Sequence, residues 1–165
     1  MEELDKALDI CMRGPLADEA LARCDAQLRT WGLAMPAVAP LVLDFGLGDF
    51  AKVGLIEYWI ANEKAAGYCG KYLFVFAGQT CPMHRHKTKM ETFFVVKGQL
   101  RIVYGGQEMI LDEGGVLPVQ PWQYHSFTGH HGPALLLEVS KPCEVDDNYF
   151  ENPQIPIGGN YHPKK

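Results

Sequence analysis

The chain lacks any long apolar run. Across its 165 residues every hydrophobic stretch is broken by charge or glycine, well short of the roughly 20 residues that a membrane-spanning helix needs. Clustered basic charge is missing too. Fifteen Lys and Arg stand against twenty Asp and Glu, for a net charge of −5, whereas a phosphate-binding face gathers Lys and Arg on one surface. The only basic groups are short, His84 to Lys89 and the final Lys164–Lys165, so nucleic acid is not expected as a partner. An Arg cluster and a glycine-rich phosphate cradle are also absent, which favours unphosphorylated over phosphorylated small molecules. The N-terminus, MEELDKALDI, is acidic and has no apolar signal core, so secretion is not expected. Cysteines are few, odd in number and irregularly spaced: Cys11, Cys24, Cys69, Cys81 and Cys143. They suit a reducing cytoplasm better than a disulfide framework.

What is present is a well-filled core. With 47% hydrophobic and 11% aromatic residues, one compact domain is expected. Residues 1–40 form a helical segment: 2–12 and 16–30 have helical periodicity, and Leu16, Ala20, Leu21, Cys24 and Leu28 make the apolar stripe of the second helix. Gly14-Pro15 separates the helices and Trp31-Gly32 ends the second. These helices are expected to pack on the outside or an end of the β-rich remainder of the chain, or against a second subunit. From Leu41 to about residue 150 the pattern is β. Strands are predicted at 53–62, 68–76, 91–96, 100–104, 108–111, 116–119, 125–128 and 134–139, with short glycine-bearing turns between them, as a sandwich or small barrel requires. After Ser140 the chain turns Pro- and Asn-rich and is expected to be irregular, ending in a tail at 151–165.

One stretch carries the chemistry. GQTCPMHRHKTKMETFFVVKG, from Gly78 to Gly98, reads G-x5-H-x-H-x4-E-x6-G. His84 and His86 are two apart, so on a strand they project from one face and reach one ion. Glu91 lies an odd number of residues further on and cannot share that face on a continuous strand. Lys87-Thr88-Lys89 is therefore read as a hairpin turn, after which Glu91, Phe93 and Val95 form the facing row. Downstream, GVLPVQPWQYHSF places Pro121 shortly before His125. Three imidazoles and one carboxylate form a complete ligand set for a divalent metal such as Mn, Fe, Co, Ni or Zn. Cys81 is read as a buried strand residue rather than a further ligand.

Two other ionisable residues sit in apolar strands. If His130-His131-Gly132-Pro133 is a hairpin turn, Gly129 pairs with Ala134 and His125 falls opposite Glu138, beside the metal set. Glu138, with Leu136 and Ala134 on its face, then has the reach of a general base. Lys71 interrupts YCGKYLFVFAG, apolar on both faces, and a buried lysine is costly unless paired or functional. Glu57 in LIEYWIAN poses the same question and is read as an ordinary strand-face residue. His130, His131 and His162 are read as turn and tail residues. Phe93, Trp122, Tyr124 and Phe127 offer apolar faces for stacking against a ligand.

The two-part motif resembles that of the cupin superfamily, which implies an all-β double-stranded β-helix, or jelly-roll, barrel behind N-terminal helices. More narrowly, YCGKYLFVFAGQTCPMHRH, the adjoining HKTKMET, and the His125 and Glu138 segments resemble the D-lyxose isomerase group of cupins. That resemblance spans roughly residues 45–155. It implies Mn²⁺ on His84, His86, Glu91 and His125, with Lys71, Lys89 and Glu138 contacting substrate and moving protons. It also implies aldose–ketose isomerisation of a free sugar such as D-lyxose or D-mannose through a cis-enediol. Resemblance to cupins at large implies homodimers. The same ligand set also serves cupin dioxygenases, decarboxylases and non-catalytic sugar-binding cupins, and oxygen consumption separates the oxidative readings from isomerisation.

Overall fold

Strand alternation, interrupted by glycine turns, lays out the architecture of the protein, whose computed structural model describes residues 2–162. Lys164–Lys165 lie outside the described residues. Two helices come first, α1 (Glu2–Asp9) and α2 (Pro15–Thr30). Eleven strands come after them among the described residues: β1 (Leu41–Leu43), β2 (Leu55–Glu63), β3 (Tyr68–Val75), β4 (Thr80–His86), β5 (Glu91–Lys97) and β6 (Leu100–Tyr104), then β7 (Gln107–Leu111), β8 (Val116–Val119), β9 (His125–Gly129), β10 (Ala134–Ser140) and β11 (Asn148–Phe150). All pair antiparallel, in a six-stranded sheet ordered β1-β2-β3-β10-β5-β8 and a five-stranded sheet ordered β11-β4-β9-β6-β7. The chain switches sheet repeatedly, at β3–β4, β4–β5, β5–β6, β7–β8, β8–β9, β9–β10 and β10–β11. This is the expected jelly-roll arrangement.

Two apolar clusters explain the strand sequences. Between the sheets, Leu55, Leu73, Val75, Phe93, Val95, Leu100, Ile102, Phe127 and Leu136 form the main core. On the outer side of the six-stranded sheet, Ile56, Tyr58, Phe74 and Leu135 pack against Ala17, Ala20, Cys24 and Leu28 of α2. β3 and β10 are thus covered on both faces at their centres, which is why LFV and ALLL read as unbroken apolar runs rather than alternating ones. Each fully buried Leu or Phe contributes about 1.5–3 kcal/mol.

The helices differ from expectation in two details. The buried stripe of α2 begins at Ala17, and Leu16 is 70% exposed, because small alanines allow the helix to lie close on the sheet. α1 ends at Asp9 rather than near residue 12, because the Met12 N–H leaves the helix to bond the Val42 carbonyl at 2.8 Å, extending the edge of β1. The α2 terminus is as expected. Gly32 adopts φ 67°, and the Gly32 and Leu33 N–H groups close on the Arg29 and Leu28 carbonyls, each at 3.0 Å.

Two predicted hairpins are crossings between sheets. β9 pairs with β4 and β6, while β10 pairs with β3 and β5, so His125 is not opposite Glu138. The link 130–133 carries the chain across the sandwich, since both strands need partners on each edge that the other cannot supply. Likewise β4 and β5 do not pair. The backbone N–H groups of Lys87, Thr88 and Lys89 all donate to the Asp147 carboxylate, which takes them out of any ladder. At the next crossing, Gly98 adopts φ 77°, and a Cβ there would lie 2.3 Å from the Pro133 carbonyl. Only glycine fits. The segment after Ser140, expected to be irregular, contains a short 3-10 turn (Val145–Asp147) and β11, which pairs with β4.

Candidate metal centre

β4, β5 and β9 build the centre from opposite sides of the sandwich. His84 and His86 point inward from β4, and His125 is the direct cross-strand partner of His84. Their rings cluster, with His84 and His125 centroids 4.2 Å apart and His84 and His86 centroids 4.9 Å apart. Glu91 comes from β5, in the other sheet. Its Oε1 lies 2.8 Å from His125 Nε2 and 3.2 Å from His86 Nε2. One donor atom from each of the four buried residues falls within 4.8 Å of the others.

Backbone carbonyls fix the imidazole tautomers. His84 Nδ1–H donates to the Pro82 carbonyl at 2.8 Å, His86 Nδ1–H to Asp147 at 3.1 Å and His125 Nδ1–H to Gln123 at 3.0 Å. A carbonyl can only accept, so each Nε2 is left as an unprotonated lone pair facing the centre. His86 Nε2, His125 Nε2 and Glu91 Oε1 are buried without a hydrogen-bond partner. Such atoms are costly to bury. That three of them converge is the mark of a set that fits a divalent cation. Burial pulls the His84 and His86 pKa values down, which keeps them neutral and ready to ligate. Burial alone would push the Glu91 carboxyl up, and Lys89 and His86 outweigh it and hold Glu91 well below the usual carboxylate range.

Lys89 and Glu138 stand at the wall of this group. Lys89 Nζ lies 2.7 Å from Glu91 Oε2 and 3.0 Å from Glu138 Oε1. Ser140 Oγ donates to the same Glu138 oxygen at 2.8 Å. Burial works against the Lys89 ammonium, but Glu138 and Glu91 prevail and raise its pKa above the ordinary lysine range. Glu138 reaches the site by a different route from the predicted hairpin. It is paired across strands with Lys71 and Phe93, and its side chain enters the space between the sheets. Lys71 is buried beside it, donating to Cys143 Sγ at 3.2 Å and lying 3.7 Å from Glu57 Oε2. Burial lowers the Lys71 pKa, and Cys143, Glu57 and Glu138 outweigh it and hold it well above the usual value.

These side chains line a cavity of about 40 Å³, bounded by Phe45, Leu73, Cys81, Phe93, Phe127 and Phe150. Cys81 is buried in its wall and outside the four-donor set, as expected. Two of the aromatic residues expected here are elsewhere. Trp122 and Tyr124 stack on the Arg85 guanidinium, with ring centroids 4.9 and 4.5 Å away, on the face of β4 opposite His84 and His86. Missed from the sequence were Asp147, which ties down residues 87–89, and Phe150, whose ring lies 5.6 Å from that of His84. Both come from a segment with no periodicity to read. Glu57 was read as ordinary, yet it lines the cavity.

Comparison with known proteins agrees with this picture. Residues 73–140 match the cupin domain family, and residues 41–104 match the D-lyxose isomerase family. The chain is 29% identical over 141 residues to a D-lyxose/D-mannose isomerase of Thermosediminibacter oceani, covering 69% of this chain and 77% of that one. It is 29% identical over 175 residues to a D-lyxose ketol-isomerase of Cohnella laeviribosi, covering 87% and 94%. Among solved structures, an L-ribose isomerase of Acinetobacter sp. DL28 in complex with L-ribose superposes with a TM-score of 0.72 at 16% identity, covering 88% of this chain and 95% of that one. That last likeness establishes the fold alone. Among the described residues, no helix is long and apolar enough to cross a membrane.

Proposed function

We propose that the chain, which matches the cupin domain family over residues 73–140 and the D-lyxose isomerase family over residues 41–104, is a metal-dependent aldose–ketose isomerase acting on a free sugar such as D-lyxose or D-mannose. The observation that carries this reading is the buried Lys89–Glu138 pair, 3.0 Å apart, at the wall of the His84, His86, Glu91 and His125 group. Those four residues would hold the metal, Mn²⁺ by the family resemblance. A divalent ion bound there supplies Lewis acidity, which polarises a carbonyl and acidifies the hydrogen on the neighbouring carbon.

The remaining work falls to the chain itself. Glu138 takes the proton from C2 of the open-chain aldose and returns it to C1, passing through a cis-enediol, while the C1 oxygen gains a proton and the C2 hydroxyl gives one up. Lys89, 3.0 Å away, holds the Glu138 carboxylate oriented between transfers. Lys71 and Lys89 present ammonium groups to the sugar oxygens on which charge develops. Phe93 and Phe127 close the chamber against water, which strengthens these interactions.

The protein is further proposed to act in the cytoplasm as a homodimer. Its cysteines are free thiols, and Ile60, Tyr68, Phe94, Val116 and Val139 remain exposed on five strands of the six-stranded sheet, a surface suited to a second copy.

Ketose formation from a panel of free pentoses and hexoses tests the activity, comparing Mn²⁺-loaded with chelator-stripped protein. Metal-dependent ketose formation upholds it. Silence across the panel with metal tightly bound overturns it, and oxygen uptake then distinguishes the oxidative cupins.

A further inference from the structure

The far end of such a sugar needs a place to sit, and the cavity at the metal group leads to one. It shares Phe45, Glu57, Lys71, Asn148 and Phe150 with a second chamber of about 60 Å³.

Polar and apolar side chains line this second chamber together. Glu57 Oε2 accepts the Trp59 indole N–H at 2.7 Å, which fixes the carboxylate against the chamber wall. The Lys71 ammonium, buried above the Trp59 ring at 4.4 Å, has three donors and hydrogen-bonds Cys143 Sγ. A buried cation with donors to spare is costly. Sugar hydroxyls, which both donate and accept, would satisfy Lys71 and Glu57 together. Ala7 and Ile10 of the N-terminal segment, with Ile157, line this chamber and not the metal cavity.

We infer that this chamber is the subsite for the end of the sugar remote from the metal, with Glu57 holding its hydroxyls and Ile10 forming an end wall that favours five carbons over six. The inference rests on the isomerase reading above. Ile10 lines the second chamber and not the metal cavity, so it acts on substrate selection, whereas Glu57 lines both.

The test is kcat and KM for D-lyxose and D-mannose in the metal-loaded full chain. D-mannose differs from D-lyxose by one added CH₂OH unit. Shortening the wall in Ile10→Ala should shift the kcat/KM ratio toward D-mannose about tenfold, and the milder Ile10→Val should shift it less in the same direction. Glu57→Gln should raise KM about tenfold. Thermal midpoints within a few degrees of wild type confirm that the variants are folded. An unchanged sugar preference in both Ile10 variants overturns the end wall, and an unchanged KM in Glu57→Gln overturns the hydroxyl contact. Both failures leave the isomerase reading intact. Wild-type protein that converts neither sugar overturns that reading, and the subsite falls with it.

Discussion

The Lys89 ammonium and the Glu138 carboxylate lie 3.0 Å apart, each almost completely buried. Breaking a buried ion pair from one side leaves an uncompensated charge. Lys89→Met strands both Glu138 and Glu91 in the interior, and is expected to lower unfolding free energy by about 3–5 kcal/mol. Denaturant unfolding measures it. A loss below about 1 kcal/mol would mean that solvent reaches the pair.

Glu138→Gln keeps the shape of the side chain and its hydrogen bond from Ser140 but cannot accept and return a proton. Ketose formation should fall by about 10²–10⁴-fold. Metal content, measured on the same preparation, should remain at wild-type level. Turnover that survives the substitution rules Glu138 out as the proton carrier.

Three convergent atoms without partners, on His86, His125 and Glu91, make metal occupancy a stability term. Adding Mn²⁺ to chelator-stripped protein at a hundredfold its Kd should raise unfolding stability by about 2.7 kcal/mol. His125→Ala should shrink that gain, as read by thermal unfolding with and without metal. An equal gain in the variant would place the ion elsewhere.

Glu3 ties α1 to the C-terminal segment. It accepts the Val145 N–H at 2.7 Å and lies 3.2 and 3.3 Å from Lys64 and Lys6. Burial pushes its pKa up, but these hydrogen bonds outweigh that and leave it below the ordinary value. A carboxylate lowered by folding contributes stability that is complete above its unfolded pKa and is lost as pH falls through its folded one. Wild type should therefore exceed Glu3→Gln in thermal midpoint at neutral pH. The gap should close progressively below about pH 4.3. A gap that does not narrow as pH falls would assign the difference to shape rather than charge.

Much of the centre was legible because its residues lie close in sequence. The spacing of His84 and His86 on a strand, with Glu91 beyond a reversal, needs only strand periodicity. Glu138 was legible as a carboxylate among Leu and Ala, but its route was not. Which strands pair across a sandwich depends on the whole chain, and β9 and β10 belong to different sheets. Glu57 escaped for a related reason. When a helix covers the outer face of a sheet, alternation no longer tells inside from outside, as Tyr58 under α2 and Glu57 in the cavity show. Asp147 and Phe150 act through backbone N–H groups and ring contacts, which leave no pattern in a segment of turns.

The centre draws three imidazoles from one sheet and its single carboxylate from the other. An ion held there is a rivet through both layers. Warming that merely lets the layers part pulls Glu91 away from the histidines while every ladder hydrogen bond is intact. Inactivation by heat should thus begin with loss of the ion, ahead of any loss of strand.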